Sequence, residues 1–166
     1  MATIGMRRLI IIIGIIIILI PQQGHCQWRT EYEYIRDVKE LVYYYSNSYD
    51  DTGLCMLTDY PVVVLKCPSP VDYRYVDNNY ILGIKVVDMW MRTYDDGRLF
   101  TDRYVTALIS GTKPELVVMI DENARFVRES LLNGWDVKFV VPLCMKPKVE
   151  ITIPKFEIWK TTAPSE

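Results

Sequence analysis

The chain has 166 residues, with 19 Lys and Arg set against 21 Asp and Glu and a single histidine. That length holds one domain with a sizeable core. The slightly acidic balance, with no basic stripe, argues against nucleic acid as the main partner, because phosphate neutralisation needs clustered Lys and Arg.

Residues 1–26 predict a cleaved secretory signal. Arg7 and Arg8 make a basic start, Leu9 to Ile20 is apolar apart from Gly14, Pro21 breaks the run, and Gly24-His25-Cys26 precedes the cut. The apolar block is short for a ~30 Å hydrocarbon layer, so no membrane span is expected after cleavage; an uncleaved anchor is the competing reading. The leader takes the only histidine with it. A mature chain over 27–166 then has no Ser-His-Asp or Cys-His pair, no His-ligated metal site and no imidazole pH switch.

Cleavage leaves Cys55, Cys67 and Cys144. Secretion favours disulfides, and an odd count implies one bridge and one leftover thiol that would permit an intermolecular link. Cys55 to Cys67 is the local pairing and Cys67 to Cys144 the competitor. No C-x-x-C spacing and no N-x-S/T acceptor occurs.

In chain order, Thr30-Glu31-Tyr32-Glu33 has the form of a capping box. Ile35, Val38, Leu41, Val42 and Tyr45 follow at helical spacing, which predicts an N-terminal helix closed by the polar run from Asn47 to Gly53. Strands are expected from there on. Pro61 to Cys67 reads as a buried strand, Val71 to Val76 and Tyr80 to Val87 as a hairpin, and Asp88 to Thr93 as its apolar continuation before the turn Asp95-Asp96-Gly97. Arg98 to Ile109 is strand-like, with a short helix over Tyr104 to Ser110 as the alternative. Glu115 to Ile120 reads as a central strand and 122–132 as a short helix stopped by Asn133-Gly134. Val137 to Leu143 is a strand, and Lys146-Pro147-Lys148 a connector. Val149 to Ile153 alternates apolar and polar until Pro154, which sets it at a sheet edge or strand end. The expected fold class is α+β: a β-rich single domain over 27–160 with a mixed or antiparallel sheet, then a frayed tail over 161–166.

Chemistry-bearing constellations are sparse. Asp121-Glu122 follows a strand, where paired acids can divide acid and base work, but the same residues suit a helix N-terminus. Asp50-Asp51 and Asp95-Asp96-Gly97 lack the spacing of a calcium loop and read as turns. Cys144 has no histidine to activate it, and no Gly-rich phosphate loop exists. No catalytic residue, metal site or cofactor is expected. The aromatic supply suits protein recognition instead, with Tyr43, Tyr44, Trp90 and Trp159 as contact candidates.

Three segments resemble the central part of serpins. Val87-Asp88-Met89-Trp90-Met91-Arg92 is similar to that family's V-x-M-M segment. Glu115 to Glu122 is similar to its apolar strand ending in L-P-D-E, with Ile120 in place of the proline. Val149 to Ile158, V-E-I-T-I-P-K-F-E-I, resembles its V-x-I-x-L-P-K-F-x-I strand. The resemblance covers residues 80–158 and leaves out the reactive-centre loop, so it implies serpin ancestry without protease inhibition; short secreted relatives of that kind suggest a viral modulator of host immunity. The expected function is a secreted, non-enzymatic module that binds a host extracellular or cell-surface protein. Two alternatives are an accessory subunit that folds with a partner chain and, least favoured, a carboxylate-dependent secreted enzyme.

Overall fold

The computed structural model describes residues 27–35, 37–76 and 83–157. They form ten strands and one helix: β1 (Gln27–Ile35), β2 (Val38–Asn47), β3 (Thr52–Leu57), β4 (Val62–Lys66), β5 (Arg74–Tyr75), β6 (Lys85–Asp95), β7 (Arg98–Ile109), β8 (Leu116–Ile120), α1 (Asp121–Leu132), β9 (Asp136–Leu143) and β10 (Lys146–Ile153). The strands make one sheet in the order β1-β2-β3-β4-β8-β7-β6-β9-β10, with β5 beside β6. Every strand pairing is antiparallel.

This architecture overturns the α+β expectation and its N-terminal helix. Residues 27–47 fold instead as the hairpin β1–β2, in unbroken register from Gln27↔Ser46 to Ile35↔Val38. The segment has five tyrosines, with Trp28, Thr30, Ile35, Val38 and Val42 beside them, residue types that fit a pleated surface better than a helix. Asp37 takes φ 65° at the turn, a conformation that Asp tolerates and a helix interior does not. Hairpin partners outweigh a capping box, since a helix depends on tertiary burial of one stripe. The Asn47 to Gly53 run is accordingly the β2–β3 turn, with Asp51 also at positive φ. The sheet is antiparallel rather than mixed.

Several later expectations also shift. Tyr104 to Ser110 is no helix, since β7 runs through to Ile109. Lys146 to Lys148 belongs to β10 rather than to a connector. Val71 makes only an isolated bridge to Leu143, so β5 is reduced to two residues. The expected turn at Asp77-Asn78-Asn79, the expected leader over 1–26, Trp159 and the expected tail over 161–166 lie outside the described residues.

The two faces of the sheet differ. On the inner face, odd-numbered residues of β6, β7, β9 and β10 join Leu54, Met56, Val63, Leu65, Val117 and Met119, and α1 adds Ala124, Val127 and Leu131. Met89, Met91, Phe139, Leu131 and Ile151 are fully buried there, each contributing about 1.5–3 kcal/mol by removal from water. Ile153 ends β10, and the chain then crosses this face: Phe156 N–H donates to Leu131 O at 3.0 Å, and the Phe156 ring sits edge-on to Trp28 and Tyr43. The outer face is divided. Its β1–β4 and β8 half is apolar, with Ile35, Val42, Tyr44, Cys55, Leu57, Val62, Val64, Leu116 and Val118 in one buried cluster. Its β6, β7, β9 and β10 half is largely polar and aromatic.

Candidate functional site

The strict alternation of β6 and β7 sends Asp88, Trp90, Arg92 and Tyr94, with Asp102, Tyr104 and Thr106, to the outer face. Register then sets Asp88 opposite Thr106, Trp90 opposite Tyr104 and Arg92 opposite Asp102. Trp90 and Tyr104 meet edge to face at 5.3 Å, 36% and 56% exposed. Arg92 Nε reaches Asp102 Oδ2 at 3.3 Å. On the β9 side, Lys138 lies 5.4 Å from the Tyr94 ring centroid and 3.1 Å from Glu150.

The far end of this face is built by a handover between neighbours. β9 pairs with β6 only from Trp90 to Tyr94, and β5 only at Lys85 and Val86. Asp88 sits between these two pairings. Arg74 reaches it from β5 with Nε at 2.6 Å and Nη2 at 3.0 Å from the two carboxylate oxygens, a bidentate fork. Thr106 Oγ1 donates to Asp88 Oδ1 at 2.7 Å. The Arg74 hydrogen bonds first, then that of Thr106, hold the Asp88 carboxyl down at about 2. Tyr104 also bonds Asp88, and its phenol is raised by desolvation and by that negative charge. Two aromatic rings and two arginines are thus fixed in place on one exposed, pleated surface.

The other named candidates fall elsewhere. Tyr43 is half-buried against Phe156 at 5.1 Å on the inner face. Tyr44 points the opposite way into the apolar cluster, with Arg29 4.8 Å above its ring. Burial raises the Tyr44 phenol, and its hydroxyl has no hydrogen-bond partner. Cys55, Cys67 and Cys144 are all free thiols. Cys55 belongs to the outer cluster and Cys67 to the inner core, so their side chains lie on opposite sides of the sheet. Cys144 is exposed at the β9–β10 turn, its Sγ 3.2 Å from Val71 O. Asp121 and Glu122 are exposed in the first turn of α1. Among the described residues no group of His, Cys, Asp and Glu is arranged to hold a metal, and no helix is long and apolar enough to cross a membrane.

Of the sequence candidates, only Trp90 falls on the composite face. Arg74, Asp88 and Tyr104 join it through strand register, which spacing along the chain does not reveal. The period-two run Asp102, Tyr104, Thr106 was the available signal. Comparisons with protein-family models, curated proteins and solved structures find no match to this chain.

Proposed function

We propose that the chain is a non-enzymatic protein-binding module whose contact surface is the outer face of β5, β6, β7 and β9. One observation carries this reading: Trp90, Tyr104 and Arg74 stand exposed beside the half-buried Arg92, already ordered by one another and by Asp88 and Asp102. Trp, Tyr and Arg are the residues that dominate interface hot spots. Holding them rigid before contact removes much of the ordering cost of association. An exposed sheet face of this kind suits a protein surface better than a small molecule, which needs a concave site.

Secretion and a host extracellular or cell-surface protein as partner are part of the same proposal, supported by the leader over 1–26. A serpin-related, host-directed role is supported by the segments resembling that family. Capture from a panel of extracellular and cell-surface proteins tests the reading. A partner should be retained, and Trp90→Ala with Tyr104→Ala should each weaken its binding by about tenfold or more. Absence of any retained partner, or binding indifferent to both substitutions, would overturn it.

A further inference from the structure

The two ends of the sheet are built on opposite principles. β10 carries the usual defences of an edge strand: Pro147, Lys146 and Lys148 at its start, a register irregularity between Lys146 and Val149, and Pro154 just past its end. β1 carries none of them. Its nine residues contain no proline and no lysine, and their register against β2 runs without a bulge. Among the described residues no strand pairs with its other side. Tyr32 and Tyr34 stand 44% and 70% exposed along it.

Long, regular edges without proline, lysine or a bulge are templates for strand addition, and the charges Arg29, Glu31 and Glu33 restrict which strand β1 accepts. The charges of β1 name the occupant. Arg29, Glu31 and Glu33 share the outer side, while Trp28, Thr30, Tyr32 and Tyr34 share the inner side. We propose that β1 pairs with β1 of a second copy of this chain, antiparallel about a two-fold axis at Thr30. That register sets Arg29 opposite Glu31 of the second copy and Trp28 opposite Tyr32 of the second copy, each twice by symmetry. Thr30 meets Thr30. The central pairs are then of favourable kinds, aromatic with aromatic, Thr with Thr, and positive with negative, and Gln27 meets Glu33 of the second copy with no like-charge contact.

The neighbouring registers that keep the two faces continuous each place a like-charge contact on the axis. Moving it to Glu31 still pairs Arg29 with Glu33 and Trp28 with Tyr34 but puts Glu31 against Glu31, and moving it to Arg29 puts Arg29 against Arg29 and leaves Trp28 opposite Thr30. Shifts by one residue set the polar side of one copy against the inner side of the other. Arg29 and Glu31 already lie 3.3 Å apart within one chain. Pairing would turn that bridge into a closed set of four alternating charges. The resulting interface is isologous and leaves the β6–β7 face open on each copy.

Sedimentation and amide hydrogen exchange on the chain as expressed and purified, over a concentration series with reductant present to break any Cys144 link, test this. A monomer–dimer equilibrium is expected, with protection of β1 amides rising with concentration and that of β10 amides constant. Arg29→Glu should weaken the dimer about tenfold, and R29E/E31R should restore it, because the swap recreates the cross-strand pairs. Circular dichroism melts of both variants confirm that they fold. A monomer up to millimolar concentration, protection that rises elsewhere than β1, a dimer insensitive to R29E, or one that R29E/E31R fails to restore would each overturn the proposal.

Discussion

Trp28, on the first strand, donates its indole N–H to the carbonyl of Pro154, just past the last strand, at 3.0 Å and across 126 positions of sequence. The bond ties together the two ends of an open sheet. Trp28→Phe keeps most of the ring packing against Tyr45 and Phe156 but leaves the carbonyl without this donor. It should cost about 1 kcal/mol, whereas Trp28→Ala should cost about 3–5 kcal/mol. Urea unfolding of the two variants separates the terms; equal losses would mean that the hydrogen bond contributes nothing.

Glu40 is buried on β2, with one carboxylate oxygen accepting from Asp59 N–H at 2.8 Å and the other without a partner. Desolvation raises its pKa above 4.5, only partly offset by the backbone hydrogen bonds. A carboxyl with a raised folded value gives its full stability below the unfolded value and loses it as pH rises through the folded one. Glu40→Gln removes the buried charge. It should therefore stabilise the fold by about 1 kcal/mol near neutrality and converge with the parent protein in acid. Denaturation series across pH would show the gap opening; a constant gap would refute the account.

Asp88 behaves in the opposite sense. Its carboxyl is held at about 2 by Arg74 and Thr106, so its contribution is present above 3.8 and is lost as pH falls through about 2. Carboxyl NMR titration should place its midpoint near that depressed value, and Arg74→Gln should return it toward 3.8. An unchanged midpoint would mean that the fork does not persist in solution.

The three described cysteines should differ sharply in reactivity. Burial pushes the Cys67 thiol up to about 12 and raises Cys55 as well, while Cys144 is exposed. Thiolate is the reactive form. Iodoacetamide should label Cys144 alone in the native protein and all three after unfolding. Rapid native labelling of Cys55 or Cys67, read by peptide mass mapping, would contradict the packing of both faces.

Gly53 lies in β3 between Ser46 and Lys66 on its two neighbours. A Cβ built there would fall 2.9 Å from the Tyr45 carbonyl oxygen, which is backbone and cannot swing aside. Gly53→Ala should thus destabilise by about 1–3 kcal/mol, the usual range for overpacking, rather than gain from a stiffer chain. Calorimetry settles the sign.

Strands whose burial is symmetrical or cleanly alternating were legible. Val62 to Lys66 and Leu116 to Ile120 lie at the middle of the sheet and read as continuous apolar runs, and β10 alternates until Pro154 stops it. β2 was not legible, because its faces bury Val42 and Tyr44 on one side and Tyr45 on the other. Its apolar positions therefore mimic a helical stripe. The contact face was half legible for a different reason: Trp90 is conspicuous by type, but its companions come from β5 and β7, and only hydrogen-bond register decides who stands beside whom.

The order of strands carries a consequence for how the chain assembles. β1 to β4 are neighbours in sequence as well as in space, and so are β6 with β7 and β9 with β10. Among the described residues the single ladder that joins the first group to the others is β4 with β8, five residues on each. Its closure waits on a long loop, whose entropy must be overcome before that contact gives anything back. Until β8 arrives, β4 offers its apolar Val-Val-Val-Leu edge to any passing strand. The seam is therefore where this protein is most exposed to misfolding, and substitutions that slow its closure should appear first as poor yield.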